Sequence, residues 1–347
     1  MSLSSGTTST DDSAGAGRPV RIAVDAMGGD NAPGAEVEGA IAAVREAAGS
    51  LEIVLVGQTE VLEAQLARQG VGDLPLTVAH ADEIITMHES PADAVRRKRG
   101  SSIVIAAGLH KSGAVDGLVS AGNTGAVVAS TLLGLGMLPN VRRPAIASFF
   151  PALGEPAVVL DVGASVDCRP SDLLEFAVMG SAYVQDVLER ERPRVALMNV
   201  GEEPSKGNEV TQAAYRLISD SPLNFVGNVE GRDLMTGAAD VVVCDGFVGN
   251  VMLKVIESVL YVLPRFTGGD EKSMGLDGIR KQFDYEEYGG APLLGVNGVV
   301  IIAHGGSSGK AIKNAALMAQ RFVQKNLGGT IVERLREVAI SNGNERA

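Results

Sequence analysis

The chain has 347 residues, 45% of them hydrophobic, enough apolar material for one large α/β domain or two smaller ones. Thirty basic side chains stand against 42 acidic ones, a formal net charge of −12, which argues against broad nucleic-acid binding. Tryptophan is absent and aromatics make up 4%, too few for base-stacking platforms, and the two cysteines, Cys168 and Cys244, form neither a zinc spacing nor a disulfide framework.

Met1 to Arg18 is Ser, Thr, Gly, Asp and Ala without an apolar core, so it is predicted to be a disordered tail rather than a signal peptide. A single α/β catalytic domain is expected over 19–341, with a short tail at 342–347. Strand-like Val20–Val24 precedes a helix from about Gly34 to Ala48. Strand-like Glu52–Val56 precedes a helix around Val61–Arg68. Further strand signals follow at Gly117–Ser120, Val158–Leu160, Arg194–Met198, Asn224–Val226, Val241–Cys244 and Val299–Ala303. Gly125–Leu138 is apolar but too short for a bilayer, and reads as a buried helix. A last helix is expected from about Lys310 to Asn326. The interval 266–297 is irregular, with no strand signal until Val299, and reads as a long excursion or lid. Strands alternating with helices of this length indicate βαβ units, a mostly parallel sheet and a three-layer α/β/α fold.

Seven turns of Gly, Asn, Asp and Ser follow the strand signals: Met27–Asn31, Ala121–Gly125, Asp161–Ser165, Lys206–Asn208, Gly227–Glu230, Asp245–Asn250 and His304–Ser308. In a parallel sheet the carboxyl ends share one edge, so these turns are expected to converge on one crevice. Glycine permits close backbone approach, and helix N-termini aim amide hydrogens at anions, so the expected ligand is a small anion, most simply phosphate. The candidate binding residues are Gly28, Gly29, Asn31, Asn123, Thr124, Asn208, Asn228, Asp245, His304 and Gly305. For Asn199, Asn208, Asn228 and Asn250, an αL turn or a local side-chain bond is about as good an explanation as ligand contact. Lys206 offers a compact charge for phosphate or a developing oxyanion, and Asn250 a donor. No G-x-G-x-x-G follows the first strand, and no cluster has metal-ligand spacing. His304–Lys310 is not a P-loop, because His304 replaces its first glycine and Ala311 the hydroxyl that would hold Mg²⁺. Arg96, Arg97, Lys98 and Arg99 form a dense basic run that is either a solvated helix end or a steering patch for an acidic partner.

The strings Val24–Asp30, Ser120–Ala126, Asp161–Ala164, Asn199–Glu202, Lys206–Glu209, Phe225–Glu230 and Asp245–Asn250 resemble the bacterial acyl-carrier-protein:phosphate acyltransferases. The resemblance runs from Arg21 to about Glu337 with its motifs in order. It implies a homodimeric fold like that of phosphotransacetylase and the isocitrate and isopropylmalate dehydrogenases. It also implies transfer of a long-chain acyl group from acyl carrier protein to inorganic phosphate, giving acyl phosphate for phospholipid synthesis. Catalytic roles fall on Lys206 and Asn250, carrier docking on Arg96, Arg97 and Lys98, and no metal or nucleotide cofactor is required. The implied setting is the cytoplasm, with a link to a membrane acyltransferase that uses acyl phosphate and peripheral contact with the inner membrane face. Where the family often has a longer, partly apolar helical tip associated with membrane contact, the interval from Lys254 to Gly290 is short and largely polar after Phe266. An NAD-linked hydroxyacid dehydrogenase of related fold and a non-catalytic carrier-binding scaffold stay open as alternatives.

Overall fold

In the computed structural model, residues 18–266 and 285–341 are described. The tail expected at 1–18 lies outside them except for Arg18, which belongs to the fold: its guanidinium makes two hydrogen bonds to Asp116, at 2.6 and 3.0 Å. The tail expected at 342–347 and residues 267–284 of the expected excursion also lie outside.

The elements in chain order are β1 (Val20–Asp25), α1 (Gly34–Glu46), β2 (Leu51–Gly57), α2 (Thr59–Gln69), β3 (Leu76–His80), α3 (Pro91–Arg97), α4 (Ser102–Lys111), β4 (Gly117–Ser120), α5 (Thr124–Gly134), β5 (Ala145–Phe150) and β6 (Ala157–Leu160). There follow α6 (Pro170–Asp186), β7 (Val195–Met198), α7 (Glu209–Ser219), β8 (Phe225–Val229), α8 (Gly231–Thr236), β9 (Val241–Val243) and α9 (Gly246–Phe266). The described chain closes with α10 (Tyr285–Tyr288), β10 (Ala291–Leu294), β11 (Val299–Ile302), α11 (Gly309–Gln324) and α12 (Leu327–Ser341).

All these strands form one eleven-stranded sheet in the order β3-β2-β1-β4-β11-β10-β5-β6-β9-β7-β8. Alternate residues go to opposite faces. Ile22 and Val24 join the core under α1 and α11, while Ala23 joins the core under α4 and α5. Val158 and Leu160 pack toward α6, and Val159 packs toward the face that carries α9. Both faces are apolar, so helices cover both, giving the three α/β/α layers that the strand–helix alternation predicts. On α1, Val37, Ala40, Ile41 and Val44 make the buried stripe at helical spacing.

The irregular interval holds a strand after all. β10 pairs antiparallel with both β11 and β5. Its four residues include Pro292 and lie between Gly290 and Gly295, so no run long enough to read as a strand exists in the sequence.

Strand direction decides where the turns go. β1, β2, β3, β4 and β11 are mutually parallel. β10 opposes β11, β5 opposes β10, and β6 opposes β5. β9, β7 and β8 then run parallel to β6. The two outer groups of strands therefore point in opposite directions, and their carboxyl ends leave opposite edges of the sheet. The seven turns do not share one crevice: three leave one edge and four leave the other.

Candidate functional site

Three turns meet at the edge formed by the ends of β1, β4 and β11. The Asp30 amide donates to Gly305 O at 2.8 Å, and Asn31 Nδ2 donates to the carbonyls of Gly306 and Ser307, both at 3.4 Å. A Cβ on Gly28 would stand 2.9 Å from Gly122 Cα, so the β1 and β4 turns approach too closely for any side chain there. Asn123 is the N-cap of α5, its Oδ1 accepting from Ala126 N at 3.1 Å. Its Nδ2 reaches the carbonyls of Thr86, Met87 and Glu89 at 3.2–3.3 Å, tying a fourth segment to the edge. Thr124, at the first position of α5, is exposed. His304 is exposed and accepts from Gly306 N through Nδ1 at 3.1 Å.

Two carboxyls lie beneath this junction. Asp25 ends β1 and is 2% exposed; it accepts from Ser120 Oγ at 2.7 Å, and Gly122 N donates to the same hydroxyl at 3.1 Å. Glu36, in the first turn of α1, is 1% exposed, and a Cβ on Gly29 would run into its Oε1. Burial raises the pKa of Asp25, and burial followed by the charge of Asp25 pushes that of Glu36 up to about 7. Sequence reasoning did not single out Glu36. The signal was present, because it sits on the same stripe of α1 as Ala40 and Val44, a carboxyl where the spacing demands an apolar side chain.

The basic run stands beside this edge on α3, whose Pro91 packs against Gly125 of α5. It splits in two. Lys98 caps α3 and turns inward, its ammonium donating to Ile84 O at 2.7 Å and to Glu89 Oε2 at 2.8 Å. That hydrogen bond, with one from Thr86 N, holds the Glu89 carboxyl down at about 2. Lys98 is thus a strut of the Thr86–Glu89 segment, whereas Arg96 and Arg97 stay exposed on the last turn of α3.

The other four turns leave the opposite edge, and most of their polar groups are spent on holding backbone. Asp161 is fully buried and accepts from the amides of Ile146, Gly163, Ala164 and Ser165. Asp245 Oδ1 accepts from Val248 N at 2.9 Å, starting α9. Gly246 and Gly249 seat that helix: a Cβ on Gly246 would lie 2.5 Å from Asp161 Oδ2, and one on Gly249 would strike Asp161 O. These glycines therefore serve helix docking. Asn208 caps α7 through Thr211 N at 2.9 Å. Asn228 lies inside β8 rather than in a turn, because β8 runs to Val229; its Nδ2 donates to Glu203 O at 2.9 Å, and its buried Oδ1 has no partner among the described residues. Lys206 is exposed, its ammonium 3.9 Å from Glu203 Oε1, and Asn250 is exposed on the second turn of α9 beside Gly163.

Neither thiol is set up as a nucleophile. Cys244 is buried between Leu160 and the Asp161 carbonyl, and burial raises its pKa well above the usual thiol value. Burial, then the charge of Asp161, pushes Cys168 up to about 12. A Cys168→Ala/Cys244→Ala double variant is expected to keep its turnover within about tenfold, since no acyl-enzyme thiolate is lost. A drop of several orders of magnitude in steady-state rate, with an unchanged circular dichroism spectrum, would refute this.

Comparison with known proteins agrees with this architecture. A family model described as "Fatty acid synthesis protein" matches residues 20–329. The chain is 47% identical over 330 residues to the phosphate acyltransferase of Geotalea daltonii, covering 92% of this chain and 95% of that protein. It is 48% identical to the phosphate acyltransferase of Heliobacterium modesticaldum, covering 91% and 98%. Among solved structures, a phosphotransacetylase from Streptococcus pyogenes superposes with a TM-score of 0.61 at 19% identity, covering 88% of this chain and 94% of that one. A branched-chain phosphotransacylase from Enterococcus faecalis gives 0.56 at 16% identity, covering 88% and 99%. Those two show the shared fold. With the family model spanning nearly the whole sheet and relatives close to half identical along nine-tenths of its length, the chain belongs to the phosphate acyltransferase family and is an enzyme of the acyltransferase class.

Proposed function

We propose that the protein transfers a long-chain acyl group from acyl carrier protein to inorganic phosphate, forming acyl phosphate for phospholipid synthesis. The observation that carries the anion site is the meeting of the Gly28–Gly29, Gly122–Asn123 and Gly305–Gly306 turns at one sheet edge, where α5 and α11 also begin. A phosphate oxygen attacks the thioester carbonyl, a tetrahedral oxyanion forms, and the carrier thiolate leaves as the carbonyl is restored. A thioester is already activated and phosphate is already a nucleophile. The site's work is to align the two and offset their repulsion, which in favourable cases lowers a barrier by roughly 7–11 kcal/mol. Mixing the protein with acyl carrier thioester and labelled phosphate tests this. Acyl phosphate is expected in the presence of a chelator and without nucleotide; an absolute need for either Mg²⁺ or NAD would overturn the reading.

Acyl carrier protein is a small acidic partner and this chain carries a net charge of −12, so an unguided encounter is repulsive. Arg96 and Arg97 supply local positive charge at the anion edge. Reversing both to Glu is expected to raise the KM for the carrier substrate about tenfold or more and to flatten its salt dependence, with kcat little changed. An unaltered KM and salt profile would make the run a plain solvated helix end.

Lys206 and Asn250 leave the opposite edge of their own chain. We place them in the site of a second copy within a homodimer. Support for a partner comes from α9, which exposes Phe247, Val251, Val255 and Val259 in a row of i, i+4 spacing. Among the described residues no helix is long and apolar enough to cross a membrane, and action in the cytoplasm, with contact at the membrane surface to hand on acyl phosphate, is part of the proposal.

A further inference from the structure

Two buried polar atoms at the anion edge, Glu36 Oε2 and Ser307 Oγ, have no hydrogen-bond partner among the described residues. Leaving a carboxylate oxygen buried and unpaired is costly, and two ionised carboxyls under one turn cost more. Asp25 lies directly beneath Gly28, 2.6 Å from where its Cβ would be, and Glu36 lies directly beneath Gly29. The turn that the anion site needs thus rests on both carboxyls at once.

We propose that Asp25 and Glu36 are a one-proton positioning pair: with one of the two carboxyls protonated they seat the Met27–Asn31 turn for the anion, and loss of that proton puts a second buried negative charge beneath the turn and weakens anion binding. The inference rests on the placement of the phosphate site given above. Titration of Glu36 near neutrality brings the switch into the working range. The charged or titratable groups on the surrounding elements are Asp30 in the turn itself, Glu38 on α1, His304 after β11 and Lys310 on α11; all four are exposed, where water screens them. β4 contributes Ser120, which is neutral. Asp25 is the buried charge that acts on Glu36, and it opposes its ionisation.

The sign follows directly. The protonated pair binds the anion, so affinity falls as pH rises through the transition. Phosphate changes its own charge in this range, so the probe is sulfate, a dianion throughout, measured as an inhibitor competing with phosphate. For a binding-competent form lost with an apparent pKa near 7, the wild-type inhibition constant is expected to weaken about tenfold between pH 6 and 8. Glu36→Gln fixes the neutral form and is expected to be flat over the same range, with its pH 6 value close to wild type. Should Glu36→Gln fail to fold, Asp25→Asn removes the opposing charge and is expected to move the transition to lower pH. A wild-type constant that does not change with pH, a slope that survives in Glu36→Gln, or a transition that does not move in Asp25→Asn would overturn the pair. Sulfate that inhibits without competing against phosphate would overturn the anion site itself, and the pair with it.

Discussion

Asp161→Ala is expected to remove much of the protein's stability. Oδ1 of Asp161 accepts from Ile146 N at 2.8 Å and from Gly163 N and Ala164 N at 3.0 Å, and Oδ2 accepts from Ser165 N. One side chain thereby fixes the start of β5, the turn after β6 and the seat of α9. Alanine leaves four buried or half-buried donors without acceptors, each costing about 1–3 kcal/mol. The sum is about 4 kcal/mol or more, set against a total of about 5–15 kcal/mol for a typical native protein. Urea or thermal unfolding measures it. Asp161→Asn is the informative control: its amide oxygen in the Oδ1 position keeps three of the bonds, while its NH₂ faces the Ser165 amide. Its loss is expected to be smaller by about 2 kcal/mol. Equal losses for Ala and Asn would show that the hydrogen bonds are not what Asp161 contributes.

Lys206→Ala and Asn250→Ala are each expected to lower kcat by about 10²–10³, the usual effect of removing one donor from a developing oxyanion. Stability should change by less than about 0.5 kcal/mol, because both side chains are exposed and neither holds a backbone segment. The loop under Lys206 is fixed independently, by Asn199 Nδ2 on Lys206 O at 3.2 Å and Gln212 Nε2 on Ser205 O at 2.8 Å. Truncating the lysine therefore leaves its support in place. Co-refolding tests the composite site. Lys206→Ala chains mixed with chains carrying His304→Ala and Asn31→Ala can rebuild one intact site per mixed dimer, so about a quarter of wild-type turnover is expected from a statistical mixture of two-fold dimers. Recovery absent from a mixture shown to contain mixed dimers would place both groups outside a shared site. Near-normal kcat in both single variants would remove Lys206 and Asn250 from the chemistry altogether.

Much of this protein is legible in its sequence because the information is local. Apolar runs such as Leu51–Gly57 and Val241–Val243 have both faces covered, so they read as strands without context. The stripe on α1, the α/β/α layering and the identity of the polar turns follow in the same way, and the order of the motifs carries the family. The sequence contains no local signal for strand direction across the middle of the sheet. That depends on β10, four residues around a proline, and on the β5–β6 hairpin, whose three antiparallel pairings reverse strand direction three times between the two parallel groups. Direction is a pairing property, settled by which strands bury each other's faces, and it is what separates Lys206 and Asn250 from Gly28, Asn123 and Gly305. Side-chain commitment is equally non-local. Lys98 is a strut because Glu89 and Ile84 O come within 2.8 Å of its ammonium, and the Glu36 carboxyl is pushed up to about 7 by burial and then by the charge of Asp25. The sequence by itself determined the elements and the chemistry available at their ends; the tertiary structure decided which of those ends meet, because only packing fixes distance and burial.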